Sequence, residues 1–196
     1  MPLADLLHSL TPSPALIVCL VLAISLVESL ALIGLLVPGV VLITTAASLA
    51  GHQDIGLAWL IGAAFIGAIL GDGVSFSLGF KHHEQVTQRW PLSLHPEWLG
   101  RGARFFERYG IWSVFIGRFV GPVRPIIPLV AGMMRMPPRT FIWANVTSAA
   151  LWAPAYILPG YLLGRTWQHH LNLPPGIEAA LLILAAIIVV LAVIFS

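Results

Sequence analysis

The stretch Phe115-Ile-Gly-Arg-Phe-Val-Gly-Pro-Val-Arg-Pro-Ile-Ile-Pro-Leu-Val-Ala-Gly132 constrains this chain more than any other. It is apolar enough to lie at membrane depth, yet it carries Arg118, Arg124, Pro122, Pro125 and Pro128. An arginine at mid-bilayer costs about 2.5–3.5 kcal/mol on insertion scales. A proline inside a helix frees a backbone carbonyl that lipid cannot satisfy. Such a segment is tolerated only where it is buried in protein or faces a watery cavity. The expectation is a broken, re-entrant element that holds an anion.

Composition identifies the solvent. Hydrophobic residues make up 58% of the chain and charged residues only 9%, with a mean hydropathy of +0.92. Soluble domains carry about 25% charged residues, so the sequence predicts an integral membrane protein with one domain over residues 1–196. Long apolar runs without period-2 alternation predict helices rather than a barrel. A formal net charge of +2 gives no argument for nucleic acid. Cys19, the single cysteine, excludes an intrachain disulfide and is expected to pack within its apolar run. Met1 to Pro14 hold Asp5 and no Lys or Arg, so they lack the basic region of a signal peptide. The first apolar run is therefore expected to stay in the mature protein.

The chain in order predicts an all-α membrane fold of about four spanning helices plus two opposed re-entrant hairpins. The spans fall at Ala15 to about Leu36, Ile55–Gly79, Thr140–Gly164 and Ile177–Phe195, near the roughly 20 residues that cross a bilayer. Pro38-Gly39 and Gly121-Pro122 break the chain, giving re-entrant regions at about 28–51 and 111–133. Residues from about 81 to 108 form a polar, partly amphipathic interfacial connection with Trp90, Trp98, Phe105 and Phe106. The broken segments resemble each other. Val37-Pro-Gly-Val ends in Leu49-Ala-Gly51, Val120-Gly-Pro-Val ends in Val130-Ala-Gly132, and each precedes a full span. Paired interrupted segments point to a transporter site built on an inverted repeat.

Charge placement gives an orientation. With both broken segments re-entrant, Lys81, Arg89, Arg101, Arg104, Arg108, Arg135 and Arg139 share one side, which is seven of the ten basic residues. The positive-inside rule then puts the N-terminus, the central connection and the C-terminus in the cytoplasm.

Six residues along a continuous helix rotate by about 600°, so Arg118 and Arg124 would point about 120° apart. The Gly121-Pro122 break lets them converge. The arm that follows starts a short helix whose free N–H groups and dipole favour an anion. Pro125 suits its first turn, whereas Pro128 is expected to distort it. Two forked guanidiniums suit a phosphate better than a carboxylate or halide. The plainer alternative pairs both arginines with Glu28 and Asp72 as structural glue. Glu28 and Asp72 both lie inside spans, and such acids usually mark proton or ion pathways. Asn145 is expected to be interhelical glue, and Trp152 core or interface belt. His82-His83-Glu84 and His169-His170 give no metal-site spacing. No nucleophile triad, P-loop or cofactor motif is present, so neither an enzyme nor a cofactor is expected.

Gly117-Arg-Phe-Val-Gly-Pro-Val-Arg124, then Pro128-Leu-Val-Ala-Gly-Met133, Phe141, Asn145 and Trp152, resembles the DedA family of bacterial membrane proteins. Pro38-Gly39, Ala50-Gly51 and Gly71-Asp72 with Gly79 fit the same pattern, so the resemblance covers about residues 28–164. It implies an inner-membrane, proton-motive-force-linked transporter of an anionic lipid, with undecaprenyl phosphate, the carrier of cell-wall synthesis, as substrate. It also implies that Glu28, Arg118 and Arg124 are functional. Two positions depart from the family: Val40 stands where an acid is common, and Ser148 where a Gly is usual. A broader phospholipid flippase or scramblase, or a non-transporting scaffold, are the competing readings. The sequence leaves open whether the chain acts alone or as a homo-oligomer.

Overall fold

A computed structural model describes residues 12–31, 33–34, 39–87, 96–120 and 124–171. Among these the regular structure is helical: α1 Pro14–Glu28, α2 Gly39–His52, α3 Leu57–Thr87, α4 Pro96–Tyr109, α5 Trp112–Gly117, α6 Ile126–Met133 and α7 Pro138–Leu171. Two stretches are long and apolar enough to cross a membrane, Leu57–His82 of α3 and Pro138–Thr166 of α7. His82 leaves helical geometry (φ −131°, ψ 35°) and marks the end of the first. The expected span at 177–195 lies outside the described residues.

The first expected span is a shorter helix. Instead of continuing to Leu36, α1 stops at Glu28 after 15 residues, about 22 Å of rise and short of a crossing. It begins on Ser13, whose Oγ accepts from Leu16 N at 3.3 Å, with Pro14 at the first helical position. What ends it is a side chain far away in sequence. Ser75 Oγ accepts from Ala31 N (2.9 Å) and lies 3.0 Å from the Ser29 carbonyl, a hydrogen-bond acceptor for it. The chain leaving α1 is thereby tied to α3. Gly67 and Gly71 let the two helices touch, since a Cβ on either would overlap the Leu22 or Leu26 carbonyl. Leu22 beside Gly67 and Leu26 beside Gly71 mean that α1 runs in the same direction as α3. Ser13 therefore lies at the Asp54 end, opposite Lys81, whereas a spanning first helix would put it on the Lys81 side. Residues 1–11 lie outside the described residues.

The short arms α2 and α6 each pack on the long helix of the other half. A Cβ on Gly51 would overlap the Tyr161 carbonyl, and one on Gly164 the Ser48 carbonyl. Gly132 stands the same way against Phe76 of α3, and Gly79 against Leu129 of α6. The arms also end alike. Ile55 N donates to Ala50 O and Met136 N to Ala131 O, both at 3.0 Å, with Asp54 (φ 52°) and Arg135 (φ 57°) left-handed at matching positions. This double reversal is the Schellman closure of a helix C-terminus. Asp54 pairs with Arg165 (3.3 Å), the residue after Gly164. Arg135 lies over the ring of Phe80, the residue after Gly79, at 5.2 Å.

One expected distortion is absent. Pro128 falls at the third position of α6, where the N–H has no intrahelical acceptor to lose. It does remove one of the donors expected at that helix start. Two apolar clusters hold the fold, one around Ile17, Ile43, Leu60, Trp152 and Ile157, the other around Phe76, Val114, Ile127 and Phe141. Leu70, Val74, Ile142, Trp143, Leu162 and Leu163 face outward, an apolar exterior suited to lipid. Cys19 is exposed on this exterior rather than packed inside.

Candidate functional site

Gly117 closes α5 onto α6, because a Cβ there would come within 2.8 Å of Ile127. That contact delivers Arg118, the next residue, into the interior. Arg124 follows the break, its backbone N donating to Val120 O at 3.1 Å. Both guanidiniums converge on the indole of Trp152 in α7, with Arg124 Cζ 4.3 Å and Arg118 Cζ 6.0 Å from the ring centroid. Such cation–π contacts gain strength when desolvated, up to about 2 kcal/mol. Trp152 has no solvent exposure, and Arg118 and Arg124 are 5% and 8% exposed.

Each arginine is held by one carboxylate. Arg118 donates to Asp72 of α3 and to the side-chain carbonyl of Asn145 in α7. Arg124 donates to Glu28 at the end of α1. Asn145 in turn donates from Nδ2 to the Ile69 carbonyl at 3.3 Å, so it joins α3 to α7 while orienting Arg118. Ser148, fully buried, donates to the Asn145 carbonyl at 3.0 Å. Gly39 opens α2 directly against Glu28, where a Cβ would overlap the carboxyl group. It is a close-approach residue rather than a bare helix break. Val40 is exposed, unlike its neighbour. Pro38, Gly121 and Pro122, expected as helix breaks, lie outside the described residues.

Two buried ion pairs are costly to assemble and costlier to break, since losing one partner strands a buried charge at roughly 3–5 kcal/mol. The pairing leaves capacity unused. Arg118 Nη1, Arg124 Nη2, Trp152 Nε1 and Glu28 Oε2 are buried and without a hydrogen-bond partner. A buried unsatisfied group costs about 1–3 kcal/mol, and native proteins hold few of them. Three side chains that meet at Trp152 thus each keep one spare buried donor. The sequence pointed to the arginines and acids. It did not single out Trp152, because nothing local separates a tryptophan beneath two cations from one in a core.

The sequence matches the VTT domain over residues 37–162. It is 35% identical over 175 residues to the inner membrane protein YabI of Escherichia coli, covering 88% of this chain and 66% of that protein. An uncharacterized membrane protein of Buchnera aphidicola is 34% identical over 186 residues, covering 94% of this chain and 72% of its own length. Another, of Mycobacterium tuberculosis, is 32% identical over 181 residues, with coverage of 89% and 82%. No solved structure matches the chain. The arginine segment and the close contacts of Gly51, Gly79 and Gly132 fall inside the matched domain, and the chain belongs to the DedA family of VTT-domain membrane proteins.

Proposed function

We propose that this chain carries an anionic polyprenyl phosphate, of the undecaprenyl phosphate type, between the leaflets of the bacterial inner membrane as a proton-linked transporter. The observation that carries the reading is the set of unpartnered buried donors, Arg118 Nη1, Arg124 Nη2 and Trp152 Nε1. A phosphate accepts several hydrogen bonds at once and carries the charge that two guanidiniums answer. The α1–α2 pair begins and ends at the Asp54 end, and the α5–α6 arm ends at Lys81. These pairs act as re-entrant hairpins entered from opposite faces, so each leaflet has its own approach to one central site. The end bearing Lys81, Arg101, Arg104, Arg108, Arg135 and Arg139 is cytoplasmic by the positive-inside rule.

Charge counting supplies the proton link. Two guanidiniums and two carboxylates are neutral together, and an arriving phosphate makes a water-poor site net negative. A proton taken up by Glu28 offsets one unit of that charge and frees Arg124, which the carboxylate held. Nothing in this cycle requires a chemical conversion of the lipid.

Flux of a polyprenyl phosphate across proteoliposomes tests the reading. Arg118→Lys and Arg124→Lys keep the charge but lose the planar fork, so each is expected to cut flux about tenfold, or about 1.4 kcal/mol, with protein still inserted. Glu28→Gln is expected to keep lipid binding but lose the response to an imposed pH gradient, which Asp72→Asn retains. Lysine variants as active as the parent would remove bidentate recognition. Equal flux of a zwitterionic phospholipid would turn the assignment to a general scramblase.

A further inference from the structure

Between α3 and α7, on the Lys81 side of Asn145, lies an open groove of about 410 Å³. Phe76, Phe80, Phe141, Ile142 and Val146 make its apolar walls, with Phe76 and Phe141 stacked at 4.1 Å. Lys81 stands at one end, and Ile69 and Asn145 close the other. Along α3 the rise from Lys81 to Ile69 is about 18 Å. Half of the roughly 30 Å hydrocarbon core is about 15 Å. The groove is therefore one leaflet deep.

Its two ends differ in chemistry. Lys81 is exposed at the mouth, exposed Arg135 lies against the ring of Phe80, and exposed Arg139 follows Pro138, which also lines the groove. Lys81 thus lines an opening whose walls are aromatic and aliphatic, and Arg135 and Arg139 adjoin lining residues. At the deep end, Asn145 is the residue that accepts from Arg118. A water-soluble anion would match the mouth and leave the walls bare. A neutral hydrocarbon would match the walls and leave the cations unanswered. One molecule satisfies both, an amphiphile with an anionic head at the interface and an apolar chain that reaches at least one leaflet inward.

We infer that this groove docks a phosphate-headed lipid of the Lys81-side leaflet, its head at Lys81 and one chain laid inward along Phe76 and Phe141 to Asn145. That the docked lipid is the transported one rests on the function proposed above; the docking itself does not. The deep wall is shared with the Arg118 site through Asn145, so the groove runs from the interface to that site. In this arrangement the groove selects substrate from one leaflet before the buried site is opened.

The test uses the full chain in nanodiscs of phosphatidylcholine containing phosphatidic acid, with native mass spectrometry to count retained lipid. Gly73 lines the groove, and a Cβ there meets nothing within 4 Å. Gly73→Leu thus projects a side chain from open space into the groove, and the exchange favours the helix. It is expected to reduce retained phosphatidic acid about tenfold. Lys81→Glu is expected to abolish the preference for phosphatidic acid over phosphatidylcholine. A photoreactive benzoylphenylalanine in place of Ser77, at the groove's edge, is expected to crosslink to lipid. Full retention in both variants overturns the inference. So does a crosslink only to residues 177–195, which would make the chain's own C-terminal segment the occupant. A parent protein that holds groove lipid yet moves no polyprenyl phosphate would sink the transport function and leave the groove standing.

Discussion

Gly39 sits where the Glu28 carboxyl must lie to reach Arg124, and any side chain there would occupy the same space. Gly39→Ala is therefore expected to behave as a charge mutation, although it changes no charge. Displacing Glu28 strands Arg124 in a buried position, at a cost approaching the roughly 3–5 kcal/mol of a broken buried pair. A double-mutant cycle on thermal stability checks this. Gly39→Ala and Glu28→Gln should each destabilise, and the double variant should be scarcely worse than either. Additive losses would mean that Gly39 serves only the backbone of α2. The sequence shows Glu28, Asp72, Arg118 and Arg124 as the expensive residues of an apolar chain, and all four meet in two pairs. It does not show which acid meets which arginine, because pairing is a property of the packed helices. Nor does it show that Asn145 orients Arg118 besides bridging helices.

At the scale of elements, the two Ala-Gly arm ends were legible as a repeated pattern, and the structure gives that pattern a contact to make. Gly51 and Gly132 are where α2 meets α7 and α6 meets α3, with backbone against backbone. Gly51→Leu and Gly132→Leu are each expected to lower the melting temperature strongly, by a mechanism of overpacking worth about 1–3 kcal/mol or more. Gly62→Ala makes the control: a Cβ there meets nothing within 4 Å, and the exchange should stabilise α3 by about 0.5–1 kcal/mol. If Gly132→Leu is as harmless as Gly62→Ala, the close approach of α6 to α3 is wrong. The end of α1 was not legible, for a physical reason. Leu30 to Leu36 are as apolar as a spanning helix requires, and the group that turns the chain aside is Ser75, in another helix. Local periodicity carries no trace of such a partner. Pro128 is a different case, because a proline harmful in a helix interior is tolerated in a first turn, and the start of α6 sets which it is.

The whole molecule places its arms from opposite ends, and that arrangement makes a prediction independent of any substrate. Ser13 and Asp54 share one end because α1 runs alongside α3, with Leu22 beside Gly67 and Leu26 beside Gly71. Lys81 and Arg135 share the other, joined through Phe80; Arg101 of α4 falls on that side, since α4 packs with α6, whose Val130 and Ile126 contact Gly102. Cys19 is exposed and is first replaced, to remove background labelling. Single cysteines at Ser13 and Asp54 should then react with an impermeant thiol reagent in intact spheroplasts, while one at Arg101 should react only after lysis. A shielded Ser13 position beside a labelled Asp54 position would mean that α1 crosses the bilayer, as the apolar run from Ala15 to Leu36 suggests. The first arm would then have no partner entering from its own face. Labelling at Arg101 with protection at both other positions would keep the opposed arms but invert the molecule in the membrane. The cationic end would then face outward, and the groove beside Lys81 would sample the outer leaflet instead of the inner one.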